Sequence, residues 1–286
     1  MSKTELHENP LVPNKKLRQM YVAMAEARAL NEHVEKLQRS AKGRRRLDST
    51  RGQEACRVST VIDLEAGDLV SDSQVGVVTD LLMGEKASSL LKRAVALCSG
   101  KKIKGTKTAK GSGQLLPWIS DGGERLRMAM GAALSFKTLG RRNVVVTYLH
   151  RDDVSKGDWA RVLSLASKLE LPVLFVVLAS KGKKAGKSSS LSNLARRWGV
   201  PGIPVDVADA VALYRVAQES SGRMRGGDGP VLIECLELPV RGKGERQRTD
   251  PLVQLGEVLV ARKICTRAWL KDAGSGLRRR IHAEGR

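Results

Sequence analysis

Aromatic residues are scarce in this chain, at 3%, which leaves few rings for the stacking platforms that hold single-stranded nucleic acid. Cysteines are few as well. Cys56, Cys98, Cys235 and Cys265 lie far apart in the sequence, with no Cys-x-x-Cys spacing. Scattered buried thiols in a reducing compartment are expected, with a metal or redox site as the alternative. No apolar run approaches the roughly 20 residues of a membrane span. The opening MSKTELHENPLVPNKK lacks the apolar region of a signal peptide, so a cytoplasmic location without membrane contact is expected. Of four histidines, His7 and His282 lie near the ends and His33 in a polar helical stretch. Only His150 falls at a strand end where chemistry could occur. No Ser/His/Asp or His/Glu/His spacing emerges, and nothing resembles a nucleophile elbow.

Acidic residues are also in deficit, 30 against 51 Lys and Arg, for a formal charge of +21. The excess is clustered in residues 39–46 (RSAKGRRR), 101–110 (KKIKGTKTAK), 181–187 (KGKKAGK) and 277–280 (LRRR). Singly, each run reads as a solvated loop. Together they could form a patch for a polyanion or an acidic partner surface. The run 182–188 (GKKAGKS) also imitates a phosphate-binding P-loop, but only three residues separate its glycines where that motif needs four. A contracted loop would aim its N–H groups differently, which excludes a nucleoside triphosphatase and leaves a looser anion site open.

What the chain does have is a strong pattern between residues 143 and 180. Asn143–Leu149 is a short, β-branched run that predicts a buried strand. Gly157–Leu169 places Trp159, Val162, Leu163, Leu165 and Ala166 at helical spacing, and Pro172–Ala179 predicts a second buried strand. Strand, helix and strand in that order predict a right-handed crossover and a sheet at least partly parallel. Ligands of such sheets sit beyond the carboxyl ends of the strands, so a site is expected at 150–155 and 180–190. A length of 286 residues can bury a sizeable core. The expected organisation is a single domain over 1–286, with an N-terminal helical arm (1–50), an α/β core (51–240) and a C-terminal helical tail (250–286).

Around this stretch, Lys15–Leu37 predicts a long helix whose methionines belong to a core or subunit contact. Gly52–Leu64 reads as helical, Asp68–Ser73 as extended, and Leu81–Leu97 as mostly helix. Residues 99–116 read as a Lys- and Gly-rich loop, and Arg125–Thr138 as a helix opened by Asp121–Glu124. Asp152, Asp153 and Ser155 are expected to cap the helix that follows them. Leu191–Trp198 reads as helix, Pro201–Val205 as strand, Val207–Arg223 as helix, and Pro230–Leu236 as strand. Leu252–Lys271 is a helix or helix pair before a basic tail.

In order along the chain, Leu17–Arg28, Gly52-Gln53-Glu54-Ala55, Gly67-Asp68, Gly131–Lys137, Ser155-x-Gly157-Asp158-Trp159, Leu171–Val177, Gly229–Glu234 and Asp250-Pro251-Leu252 make a recognisable series. It resembles the α subunit of the thiamine diphosphate-dependent 2-oxo acid dehydrogenases, over roughly residues 15–284. The resemblance implies an α/β thiamine diphosphate-binding fold, a mostly parallel central sheet with helices on both faces. It also implies an oxidoreductase family that uses thiamine diphosphate and magnesium and assembles as a homo-oligomer or with a β-type subunit.

The family's cofactor positions fall on different residues here. Its Gly-Asp-Gly falls on His150-Arg151-Asp152, and its Asn pair on Ala179-Ser180. Its Tyr-Arg pair falls on Gln74-Val75, and the next His on Val77. The Arg-x-x-Gly-His segment falls on 241–245, putting Glu245 at the His. Magnesium needs hard anionic oxygens, and a guanidinium at the Asp position repels it. The degenerate equivalents are therefore Gln74, Val75, His150, Arg151, Asp152 and Ser180, with Arg151 and Lys181 as candidate anion contacts. No catalytic residue, metal ligand or bound cofactor is expected. Three readings follow: a catalytically degenerate structural or regulatory subunit, an active thiamine enzyme with non-standard ligation, or a basic nucleic-acid-binding protein on the same fold.

Overall fold

A computed structural model describes residues 12–40, 47–74, 76–99, 113–179, 190–237 and 249–285. In chain order these form α1 (Asn14–Ser40), α2 (Glu54–Val61), β1 (Asp68–Ser71), α3 (Val78–Leu82), α4 (Ala87–Cys98), β2 (Gly113–Leu115), α5 (Gly122–Thr138) and β3 (Val145–His150). A 3-10 turn (Arg151–Asp153) precedes α6 (Lys156–Lys168), β4 (Val173–Leu178), α7 (Leu191–Arg197) and β5 (Gly202–Asp206). Last come α8 (Ala210–Gly226), β6 (Val231–Leu236), α9 (Pro251–Ala261) and α10 (Arg267–Glu284).

The six strands form one sheet in the order β2-β1-β3-β4-β6-β5, and every neighbouring pair is parallel. The sheet is thus more uniform than the mostly parallel one expected. Its central strands are rich in Val and Leu because both faces are covered, β4 being a continuous Val/Leu/Phe run. Val146 and Tyr148, with Leu174 and Val176, face a cluster that takes in α1, α2, α8 and α9. Val145 and Leu149, with Val173 and Phe175, face a second cluster built with α5, α6 and α7. A third joins α1, α4 and α10 through Leu30, Val34, Leu90, Leu91 and Ile281. Met20 and Met24 lie wholly inside the first cluster, so the methionine stripe is core.

Three expectations need correction. The predicted helix Leu81–Leu97 is two helices, divided where Gly84 turns with φ +93°. The predicted loop 99–116 contributes the edge strand β2, and the residues before it lie outside those described. The C-terminal helical tail expected over 250–286 consists of α9 and α10, and α10 is held to the core by Trp269, Leu270, Ala273 and Leu277 on one face. Of the three residues expected to cap α6, only Ser155 does so, accepting from the Asp158 N–H.

Strand order reverses between β1 and β3. β2 was added on the far side of β1, while β3 and β4 extend the other way. In an open parallel sheet the crevice beyond the carboxyl ends at such a reversal is where ligands sit.

Candidate functional site

The carboxyl end of β1 runs on into Asp72 and Gln74, and that of β3 ends at His150. Gln74 Nε2 and His150 Nε2 are 3.4 Å apart, so the reversal point brings together two residues 76 apart in sequence. Both were expected there. The group that organises them was not. Arg57, on α2, has no exposed surface. Its Nη1 lies 2.6 Å from Asp72 Oδ2 and its Nη2 3.1 Å from Asp72 Oδ1, a two-pronged contact that matches the fork of a guanidinium to a carboxylate. Nη2 also donates to Gln74 Oε1 at 2.9 Å, Nε to Gln53 Oε1 at 3.1 Å, and Nη1 to the Thr79 hydroxyl, which donates in turn to Asp72.

The guanidinium carbon sits 4.8 Å from the centre of the Tyr148 ring, close enough for a cation–π contact. Tyr148 is itself buried, its hydroxyl 2.6 Å from that of Thr60. Burial works against the charge on Arg57, but Asp72 more than compensates and holds the guanidinium above its ordinary range. For Asp72 burial again opposes the charge, and Arg57 and Thr79 together bring its carboxyl below the ordinary range.

The turn after β3 is fixed from two sides. Arg151 O accepts from Trp159 Nε1 at 3.2 Å, and Trp159 packs edge-on against Phe175. Asp153 leaves the role of α6 cap and accepts instead from Arg125 Nη2 at 2.9 Å and from the His150 N–H at 3.2 Å. Gly122 opens α5 against this turn. A Cβ there would stand 2.3 Å from Asp153 O. Asp121 caps α5 by accepting from the Glu124 N–H at 2.7 Å. Asp152 is exposed.

Val75, Ser180 and Lys181 lie outside the described residues, as does most of the basic runs 39–46, 101–110 and 181–187. Buried hydroxyls of Ser71, Ser73 and Thr147 and the Gln53 amide nitrogen have no hydrogen-bond partner among the described residues. Among those residues no group of three or more His, Cys, Asp and Glu could hold a metal ion. No helix among them is long and apolar enough to cross a membrane.

Beside the site, Glu54 anchors the start of α2. It accepts from the Gly52 N–H at 2.8 Å and from Arg28 Nε at 2.7 Å, and Arg28 also reaches Asp250 at the start of α9. Arg57 had one sequence signal, a cation inside the apolar run of α2. Its partners Asp72 and Thr79 had none.

Residues 21–242 match the family described as dehydrogenase E1 component. The chain is 27% identical over 257 residues to the pyruvate dehydrogenase E1 component subunit alpha of Staphylococcus epidermidis, covering 82% of this chain and 67% of that one. It is also 27% identical over 232 residues to the protein of the same name from Staphylococcus aureus, covering 73% of this chain and 61% of that one. The chain thus spans about two thirds of the length of the relatives it matches. With the parallel sheet and the ordered series of motifs, these matches place it: the chain belongs to the dehydrogenase E1 component family, as an α-type subunit of the 2-oxo acid dehydrogenase kind.

Proposed function

We propose that this α-type subunit keeps the scaffold of its family but not the magnesium–diphosphate site, and acts by assembling with a β-type subunit or by regulating a catalytic relative. One observation carries the reading. Asp72 and Asp153, at the reversal point, are each neutralised by the protein's own guanidinium, Asp72 by Arg57 and Asp153 by Arg125.

The donor chemistry does not fit the family's ion. Magnesium takes near-octahedral oxygen ligands, usually with one or two carboxylates among them. The position that resembles the metal-binding Asp holds Arg151. The position that resembles the diphosphate-binding Tyr holds Gln74, whose amide oxygen accepts from Arg57. The Ser71, Ser73 and Thr147 hydroxyls, without a hydrogen-bond partner among the described residues, are neutral and bring no negative charge to balance a divalent cation.

The test is calorimetric titration of the full chain with thiamine diphosphate, with and without magnesium, beside co-expression with a β-type subunit. No uptake in either titration, with co-purification of the β-type subunit, is the expected result. Tight, magnesium-dependent uptake would overturn the reading. Uptake without the metal, weakened by Arg151→Ala, would make the chain an active enzyme with unusual ligation. Retention on a short DNA at moderate salt would point to the polyanion reading instead.

A further inference from the structure

We propose that Cys56 and Cys235 are a buried pair that hydrogen peroxide closes into a disulfide, tying α2 to β6. The two are 179 residues apart in sequence, yet Cys235 Sγ donates to Cys56 Sγ at 3.2 Å. Both side chains are buried on the same face of the sheet, among Tyr148, Val176 and Ile233. Cys98 is buried at the end of α4, and Cys265 is half-buried just beyond α9. A disulfide needs its sulfurs roughly one ångström closer than they now stand, a movement that side-chain rotation on a short helix can supply.

The two sulfurs differ in role. Cys56 is the third residue of α2 and its sulfur is the acceptor of the hydrogen bond, with its lone pair turned toward Cys235. Cys235 is the donor. Its hydrogen bond to Cys56, and then burial, push its own ionisation well up. Cys56 therefore attacks first. Its sulfur displaces one oxygen of the peroxide, forming the sulfenic acid, and the released hydroxide leaves as water with the thiol proton. Cys235 Sγ then attacks the Cys56 sulfur and expels hydroxide, which takes the Cys235 proton and leaves as a second water. Two thiols lose two electrons, one peroxide gains them, and two waters form.

Peroxide is little larger than water, so brief openings of α2 suffice for entry. The bond would fix α2, and with it Glu54 and Arg57, to the central sheet.

The experiment is a peroxide pulse on the full chain, then denaturation, alkylation, intact mass and tryptic mapping. The protein is expected to lose about 2 Da for two hydrogens and to alkylate at two of its four cysteines. A dithiothreitol-sensitive link should join peptide 52–57 to peptide 226–241. In Cys235→Ser the Cys56 sulfenic acid has no thiol to resolve it and should take up dimedone. Should that variant not fold, the wild-type map decides alone. The oxidised protein should also melt several degrees above the reduced one, because the bond closes a long loop. Four alkylated thiols after the pulse, or a link through Cys98 or Cys265, would overturn the proposal.

Discussion

Arg57 holds Asp72 in a two-pronged contact, 2.6 and 3.1 Å, at the point where the sheet reverses its strand order. The guanidinium enters from α2 and the carboxylate from the end of β1, so the pair ties a helix on one face to the sheet's carboxyl edge. Taking a cation out of water is costly, and the hydrogen bonds that the guanidinium donates to Gln53, Gln74 and Thr79, beside its pair with Asp72, offset it.

Removing one partner of that pair should be severe. Arg57→Met leaves the Asp72 carboxylate half-buried and uncompensated, at a cost of about 3–5 kcal/mol, read by urea unfolding at neutral pH. The double change Arg57→Met with Asp72→Asn should recover most of the loss, since the two residues then share no unpaired charge. The single change should also lose the acid sensitivity that Asp72 contributes. With its folded pKa held below the unfolded value, Asp72 stabilises above the unfolded pKa and that contribution fades as pH falls through the folded one.

Asp80 has the opposite sign. Burial raises its carboxyl to about 6, against the pull of Arg93 and with the push of Glu85 and Asp72. Arg93 serves both Asp80 and Glu85, so neither carboxylate has it to itself. A carboxyl whose folded pKa lies above its unfolded one favours the fold at low pH and loses that advantage as pH rises through about 6. Asp80→Asn should flatten the stability profile between about pH 4 and 6 and raise stability at pH 7, by something on the order of 2 kcal/mol. Chemical unfolding at three pH values checks it, and an unchanged slope would contradict it.

The strands around His150 are legible because a buried parallel strand is a nearly unbroken apolar run: β4 is wholly apolar, and β3 and β6 are interrupted inside only by Thr147 and Glu234. β2 is not, because it is three residues long and sits at the end of a Lys- and Gly-rich stretch. α10 hides its apolar stripe of Trp269, Leu270, Ala273, Leu277 and Ile281 among arginines and two glycines. The site divides in the same way. Gln74, His150 and Arg151 follow from where strands end and from the likeness to the family. Arg57–Asp72 and Cys56–Cys235 depend on contacts across 15 and 179 residues. Such pairings leave no local spacing to read.

His33 on α1 and His282 on α10 stand with ring centres 5.7 Å apart. Burial, then His282 and Lys36, lowers the pKa of His33 below its ordinary 6.5. A histidine with a depressed folded pKa stabilises above its unfolded value, and the contribution is lost as pH falls through the folded one. Acidification from about pH 7.5 to 5.5 should therefore loosen α10 from α1 before the sheet responds. Hydrogen exchange over 267–284, corrected for intrinsic rates, should show the loss of protection, and His33→Gln should remove its pH dependence.

Gly122 and Gly123 are adjacent at the start of α5, and they should respond differently to the same added methyl group. At Gly122 a Cβ would meet the backbone oxygen of Asp153 at 2.3 Å, and backbone cannot swing aside as a side chain can. The start of α5 would have to lift off the turn after β3, stretching the 2.9 Å Arg125–Asp153 pair. Gly122→Ala should cost about 1–3 kcal/mol as overpacking. At Gly123 the nearest atoms are the Asp121 carboxylate at 3.2 Å and the mobile end of Arg127 at 3.5 Å, which can yield. Gly123→Ala should be close to neutral, or slightly stabilising through its better helix propensity. Paired unfolding curves decide the matter, because equal effects from the two changes would mean that α5 does not rest on the turn that presents His150 and Arg151.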